Sequence, residues 1–319
     1  MKHLIAVLGP TATGKSALAL AIAKRVGGEI INCDSTAVYR GFDIGTDKVP
    51  PSQQRGIPHH LIDIVEPTVE YTAADYGRDA AAVVQLLHAH GRMPIVVGGT
   101  GFYFRALTRG LFPGPGKDSV LRDRLDAIAR RRGVEFLWRM VQRIDPPSSD
   151  RILPRDRKRL VRALEVYFQT GRPLTEHFKD TVSPLPTDVE VTALGLRLDA
   201  ALLAQRLAAR VEAQFAAGLL DEVRDLLARG IPESARPFGG LVYRQVLDYM
   251  RGKRDLNATR ALIVQENRRY ARRQLIWFRK EPTLRWFNGP GESAAVQAEV
   301  LRWLADQGLV IDGGLAAHA

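Results

Sequence analysis

The sequence predicts an α/β fold built on a parallel sheet and interrupted by an all-helical insertion, on three observations. Leu4-Ile5-Ala6-Val7-Leu8 runs straight into Gly9-Pro10-Thr11-Ala12-Thr13-Gly14-Lys15-Ser16 and then an Ala/Leu/Ile-rich helix, the strand, loop and helix of a P-loop. Through the first third of the chain, short apolar runs alternate with helix-length segments that end at glycines, a rhythm that gives parallel strands joined by crossovers. Beyond Phe112-Pro113-Gly114-Pro115-Gly116 the strand pattern gives way to helical periodicity until about Pro186. Together these assign a P-loop NTPase-like core to residues 1–112 and 188–319 and an inserted helical domain to 113–187.

Each element follows from local pattern. After the first strand, a helix from Lys15 to about Lys24 stops at Gly27-Gly28, and Ile30–Cys33 is a short buried strand. A helix near Ala73–His90 ends at Gly91, and Pro94–Val97 is a third strand, emptying into Gly98-Gly99-Thr100-Gly101. In the insertion, helices are expected near Ser119–Arg132, Val134–Ile144 and Asp156–Gln169. Val189–Leu198 returns the chain to the sheet, followed by helices near Ala200–Ala217, Leu220–Arg229, Gly239–Arg251 and Ala258–Arg279. Residues after Ile311 read as a loose tail.

Composition narrows the class of protein. The 319 residues are 45% hydrophobic and 25% charged, as in a soluble globular enzyme. A formal charge of +11 favours a polyanionic partner. The single cysteine, Cys33, excludes an internal disulfide framework and fits a reducing compartment. No uncharged apolar run reaches the length of a membrane span, and the first strand leaves no room for a signal peptide, so a cytoplasmic location is expected. His59-His60 has no partner set at metal-ligand spacing and is expected in a structural turn after Pro58 rather than a zinc site.

The glycine-rich loop Gly9–Ser16 is a phosphate cradle. Its backbone N–H groups approach anionic oxygens, Lys15 supplies a point charge, Ser16 offers a hydroxyl to Mg²⁺, and the helix N-terminus adds its dipole. A nucleotide or any other diphosphate presents the same oxygens, so an NTPase, a kinase and a diphosphate-using transferase all remain open from the loop alone. Two other strand exits are candidate site material, because ligands of parallel sheets bind outside the carboxyl ends of the strands. Asp34, at the exit of the second strand, suits a general base or a turn aspartate; Thr100 is either a site residue or a capping threonine in a tight turn.

Basic residues concentrate in two places. Arg151, Arg155, Arg157, Lys158, Arg159 and Arg162 crowd one segment, with Arg155, Arg159 and Arg162 expected on one side of a helix. Between Arg251 and Arg285 lie eleven Lys and Arg against three acidic residues, with Arg268/Arg272 and Arg269/Arg273 at i,i+4 spacing. Like charges so placed cost a few tenths of a kcal/mol per pair, which an anionic partner would offset. Tyr270, Trp277 and Phe278 interleave with them, as stacking partners for bases or as the core stripe of the helix, with core the expectation for Trp277.

Read together, the Gly9–Ser16 loop, Asp34-Ser35 with Tyr39, Asp43-Ile44-Gly45-Thr46, Pro58-His59-His60-Leu61-Ile62-Asp63, Gly98-Gly99-Thr100-Gly101-Phe102-Tyr103 and Arg159–Val166 resemble the tRNA dimethylallyltransferase (IPP transferase) family, in the family's order along nearly the whole chain. The resemblance implies transfer of a dimethylallyl group from dimethylallyl diphosphate to N6 of the adenosine immediately 3′ of the anticodon, with release of pyrophosphate. It implies that the loop holds the diphosphate with Lys15, Mg²⁺ at Ser16 and Arg206, that Asp34 accepts the N6 proton, and that Thr100 lies at the centre of the site. It further assigns contacts with the tRNA anticodon stem-loop to Asp34, Ser35, Thr36 and Ala37, to Arg159 and Arg162, to Tyr243, Arg244 and Gln245, and to Arg268, Arg272 and Arg273. A monomer without membrane contact is expected. Val242 stands where the family pattern has glycine, Asn267 where it has threonine, and Ala37 where many relatives carry glutamine. A small-molecule kinase would share the loop and Asp34 but would not require two arginine-rich helices, and a non-catalytic RNA-binding protein would not require Asp34 or Thr100.

Overall fold

Lys2–Leu8 forms β1, and Leu4 to Leu8 are fully buried, as a strand covered on both faces of a parallel sheet must be. In this computed structural model residues 1–310 are described, and the expected tail after Ile311 lies outside them. The chain continues through α1 (Lys15–Val26), β2 (Gly28–Asn32), the two-residue β3 (His59–His60), α2 (Ala73–Ala89), β4 (Met93–Gly98) and α3 (Gly101–Arg109). Thr72 and Asp75 form a reciprocal capping box at the start of α2.

Five helices follow: α4 (Ser119–Arg132), α5 (Val134–Ile144), α6 (Pro146–Arg151), α7 (Arg157–Thr170) and α8 (Leu174–His177). The remainder comprises β5 (Val189–Arg197), α9 (Ala200–Ala216), α10 (Leu219–Ala228), α11 (Leu241–Met250), α12 (Leu256–Phe278), β6 (Arg285–Asn288) and α13 (Ala294–Asp306).

The six strands pair in the order β3-β2-β4-β1-β5-β6, all parallel. After β1 the chain moves outward to β2, returns to place β4 beside β1, then crosses to the other side with β5. The strand order therefore reverses at β1, and the carboxyl ends of β1, β2 and β4 form the crevice where such a sheet takes its ligand. Leu8 is level with Gly98 and Asn32 with Val97, so the three exits lie side by side. Gly98 makes this possible: a Cβ there would meet the Cys33 carbonyl oxygen at 2.1 Å. The core on one face of the sheet joins Ile5 and Val7 to Leu18 and Ile22 of α1 and to Val296, Val300 and Leu304 of α13.

The chain divides into two compact units, Met1–Thr108 with the described residues from Pro184 onward, and Arg109–Ser183. The second begins and ends four residues earlier than the expected 113–187. Among its described residues no strand occurs, and its helices pack around a core of Leu125, Leu137, Val141, Leu160, Leu164 and Val166. Glu165 is buried in this unit and accepts from the Asp118 backbone N–H at 2.9 Å, Arg122 at 2.7 and 2.8 Å and Arg162 at 2.7 Å. Asp145, also buried, caps α6 through Ser148 and accepts from both the backbone N–H and the hydroxyl of Thr175 on α8.

Candidate active site

The phosphate loop leaves β1 through Gly9 at φ +134°, where a side chain would meet the Leu196 carbonyl oxygen at 2.6 Å. A glycine is therefore required on both conformational and steric grounds. Within the loop, Thr13 Oγ1 donates to the Pro10 carbonyl at 2.9 Å and Lys15 Nζ donates to the same oxygen at 2.6 Å. Burial, reinforced by the nearby Arg210 and opposed by Asp34 and Asp47, lowers the Lys15 pKa to about 7. Arg206 donates to the Ala12 carbonyl at 2.7 Å and pairs with Glu292. One turn further along α9, Arg210 donates to Thr11 Oγ1 at 2.7 Å and pairs with Asp47 at 3.0 Å. A cavity of about 650 Å³ opens here, lined by Thr11, Ala12, Gly14, Lys15, Ser16, Asp34, Ala37, Arg206 and Arg210 among others.

Asp34 sits at the exit of β2. Its backbone N–H donates to Asn32 Oδ1 at 3.0 Å, and its Oδ1 accepts from the Thr36 N–H at 2.8 Å. The aspartate thus makes the local turn that its position suggested and also lines the cavity. Thr100 is tied to the same exit: its N–H donates to the Cys33 carbonyl at 3.1 Å, and its Oγ1 accepts from the Ser35 N–H at 3.1 Å. Ser35 and Thr36 are half-buried and Ala37 is buried. Cys33 is buried, and burial pushes its thiol up to about 12, which leaves it no nucleophilic role.

Four residues that sequence reasoning did not place in the site belong to its frame. Tyr270 is coupled to Thr100 by a side-chain hydrogen bond and to Asp34 by charge, and burial raises its phenol above the ordinary range. The amide of Gln274 reaches both the phosphate loop and Gly99. Arg210, four residues after Arg206 on a helix, was within reach of a spacing argument. Glu222 of α10 has no such signal: its carboxylate accepts from the backbone N–H groups of Asp43, Ile44 and Gly45 at 2.9, 2.6 and 3.3 Å, holding the segment that presents Asp47 to Arg210.

The basic residues divide into exposed and committed ones. Arg268, Arg269, Arg272 and Arg273 are exposed on α12, with Arg273 5.6 Å from the centre of the Tyr270 ring. Arg159 is exposed on α7 beside Asp156. Arg155 precedes α7, which Asp156 caps, so it does not share a helix face with Arg159 and Arg162 as expected. Arg162 donates to Glu165 and, at 2.9 Å, to the Pro115 carbonyl, so its guanidinium is spent within the helical unit. Tyr243 and Gln245, expected at an RNA surface, are buried instead. The Tyr243 hydroxyl donates to Glu222 at 2.7 Å, and Gln245 links Glu266 to Arg254. Arg244 remains half-exposed against Glu266 at 2.8 Å. Trp277 is half-buried over Gly101, with Arg105 4.9 Å from its ring.

His59-His60 forms the edge strand β3 rather than a turn, with His60 paired to Glu29 at 2.7 Å. Among the described residues, no group of three His, Cys, Asp or Glu could hold a metal ion. Ser16, exposed at the start of α1 and lining the cavity, presents a hydroxyl there. No helix among the described residues is long and apolar enough to cross a membrane.

A model of the IPP transferase family matches residues 37–281. The chain is 45% identical over 297 residues to the tRNA dimethylallyltransferase of Solibacter usitatus, covering 92% of this chain and 95% of that one. It is 40% identical over 300 residues to the tRNA dimethylallyltransferase of Geobacter sulfurreducens, covering 94% and 96%. The full-length tRNA isopentenylpyrophosphate transferase of Bacillus halodurans, a crystal structure, matches with a TM-score of 0.72 at 33% identity, over 96% of this chain and 97% of that one. Matched by the family model over more than half of its length and by such relatives over nearly all of it, the chain belongs to the IPP transferase family.

Proposed function

We propose that this chain transfers a dimethylallyl group from dimethylallyl diphosphate to N6 of the adenosine immediately 3′ of the anticodon in tRNA, forming N6-isopentenyladenosine and pyrophosphate. The observation that carries the reading is the meeting of the phosphate loop, Asp34 and Thr100 at three adjacent strand exits, two of them on one cavity wall.

In the reaction, the N6 lone pair forms a bond to C1 of the dimethylallyl group as the C1–O bond breaks. The electron pair of that bond leaves with the diphosphate, and the N6 proton passes to Asp34. The loop amides from Ala12 to Ser16, Lys15 and Arg206 hold the diphosphate; Arg206 and Arg210, now paired with Glu292 and Asp47, can turn to it. Positive charge brought to the diphosphate in this way favours the developing leaving group. Mg²⁺ held through Ser16 would supply further charge neutralisation of the diphosphate. Thr100, its hydroxyl held by the Ser35 N–H at the neighbouring strand exit, would contact the adenine and the diphosphate region.

The adenine must leave the anticodon-loop stack to reach the site, at a cost of a few kcal/mol. Phosphate contacts from exposed Arg159 and from Arg268, Arg269, Arg272 and Arg273 offset it. Within this reading the helical unit binds tRNA, the protein acts as a monomer, and its place is the cytoplasm.

The test is transfer of label from dimethylallyl diphosphate to an anticodon stem-loop carrying an unmodified adenosine 3′ of the anticodon. Label on that adenosine, and none when it is replaced by guanosine, is the expected result. Tight binding of the stem-loop without label would overturn the reading in favour of an RNA-binding protein.

A further inference from the structure

We propose that Gln274 is a positioning residue of the transfer reaction, its side-chain amide setting the phosphate loop against the peptide that carries Thr100. Its consequence for turnover rests on the prenyl-transfer reading; the bridge itself does not.

Gln274 lies on α12 and is 6% exposed. Its Oε1 accepts the Thr11 backbone N–H at 2.9 Å, and its Nε2 donates to the Gly99 carbonyl at 2.9 Å. The two partners fix which way the amide points, since an N–H demands the oxygen and a carbonyl demands the NH₂. The partners are 263 and 175 residues away in sequence, and each belongs to a different strand exit.

The two bonds act on opposite sides of the site. The Gly99–Thr100 peptide is held at both ends, its carbonyl by Gln274 and its N–H by the Cys33 carbonyl at 3.1 Å. Thr100 is thus placed by α12 on one side and by the exit of β2 on the other. A Cβ at position 99 would lie 2.2 Å from Nε2, so a larger residue there would have to displace the amide. On the loop side, Thr11 is held twice, by Gln274 at its N–H and by Arg210 at its hydroxyl. The Thr11 N–H is therefore withdrawn from the phosphate cradle, and the anion must sit against the amides that follow it. One side chain thus ties the first turn of the loop to the peptide that carries Thr100, without itself meeting the anion.

A buried amide that merely satisfies two backbone groups would affect stability alone. A positioning residue affects the reacting geometry, and displacement on the scale of an ångström costs about 10²-fold in rate. Gln274→Met has a similar length and removes both bonds, whereas Gln274→Glu keeps the acceptor for Thr11 and removes the donor to Gly99.

The experiment combines amide hydrogen exchange with turnover on the full chain. Gln274→Met is expected to speed exchange in segments 9–13 and 98–101 by about tenfold or more. It should lower kcat by about 10- to 100-fold while leaving pyrophosphate affinity within about threefold. Gln274→Glu is expected to loosen 98–101 alone, and it decides the matter if the methionine variant does not fold. Unchanged exchange in both segments would overturn the bridge. Unchanged kcat in an active protein, or a kcat loss matched by an equal loss of pyrophosphate affinity, would overturn the positioning role. A wild-type protein without transfer activity would instead overturn the proposed function, and the exchange measurements would still decide the bridge.

Discussion

Replacing Asp34 by alanine is expected to lower kcat for prenyl transfer by about 10²- to 10⁴-fold, the usual span for loss of a general base. The expectation follows from position: Asp34 lines the cavity that the phosphate loop lines, beside the exit that carries Thr100. Because Asp34 Oδ1 also accepts from the Thr36 N–H, the alanine variant removes a turn together with a base. Asp34→Asn separates the two, since its carboxamide oxygen still accepts from Thr36 but cannot take a proton from N6. Both variants are expected to be deficient in single-turnover transfer. An active Asp34→Asn enzyme would reduce Asp34 to a turn residue.

Glu165→Ala is expected to destabilise the helical unit by about 3–5 kcal/mol, as removal of one partner of a buried ion pair does. The alanine leaves Arg122, Arg162 and the Asp118 N–H, which now converge on the carboxylate, without their common acceptor. Burial alone would raise the Glu165 pKa, but the hydrogen bonds from Arg122, Arg162 and Asp118 win and hold it down at about 2. A folded value below the ordinary glutamate value near 4.3 means that the contribution is fully present above about pH 4.5 and fades as pH falls toward 2. A difference of this size corresponds to roughly 3 kcal/mol. Urea unfolding followed by the fluorescence of Trp138, the tryptophan of the helical unit, measures both effects. Wild-type stability in Glu165→Ala, or a unit indifferent to acid between pH 4.5 and 2 relative to that variant, would contradict the account.

What was legible in the sequence was what local pattern determines. The phosphate loop and β1 announce themselves by a continuous apolar run and a fixed spacing of Gly, Lys and Ser. α4 and α5 appear at their expected bounds because Asp118 and Gly133 punctuate them. α3 was hidden behind Gly98-Gly99-Thr100-Gly101, where glycines that permit close approach also read as loop. β6 has only four residues and α13 follows a Gly-Pro-Gly stretch, so both escaped notice although Phe287 and Val300 belong to the core.

At the site, residue types were readable and their obligations were not. Arginine and tyrosine in an arginine-rich region suggest RNA, yet Arg162 answers to Glu165 and Tyr243 to Glu222, 21 residues earlier. Gln274 is silent in sequence, because its meaning comes from two loops at the far end of the chain. A hydrogen-bond partner set by tertiary packing leaves no periodic trace.

The occupant of the phosphate loop is the central claim, and counting pyrophosphate tests it most directly. With dimethylallyl diphosphate and stem-loop, one pyrophosphate is expected for each prenyl group transferred, with none released from ATP and no ATP requirement. Phosphate release from ATP, with no pyrophosphate from dimethylallyl diphosphate, would contradict it.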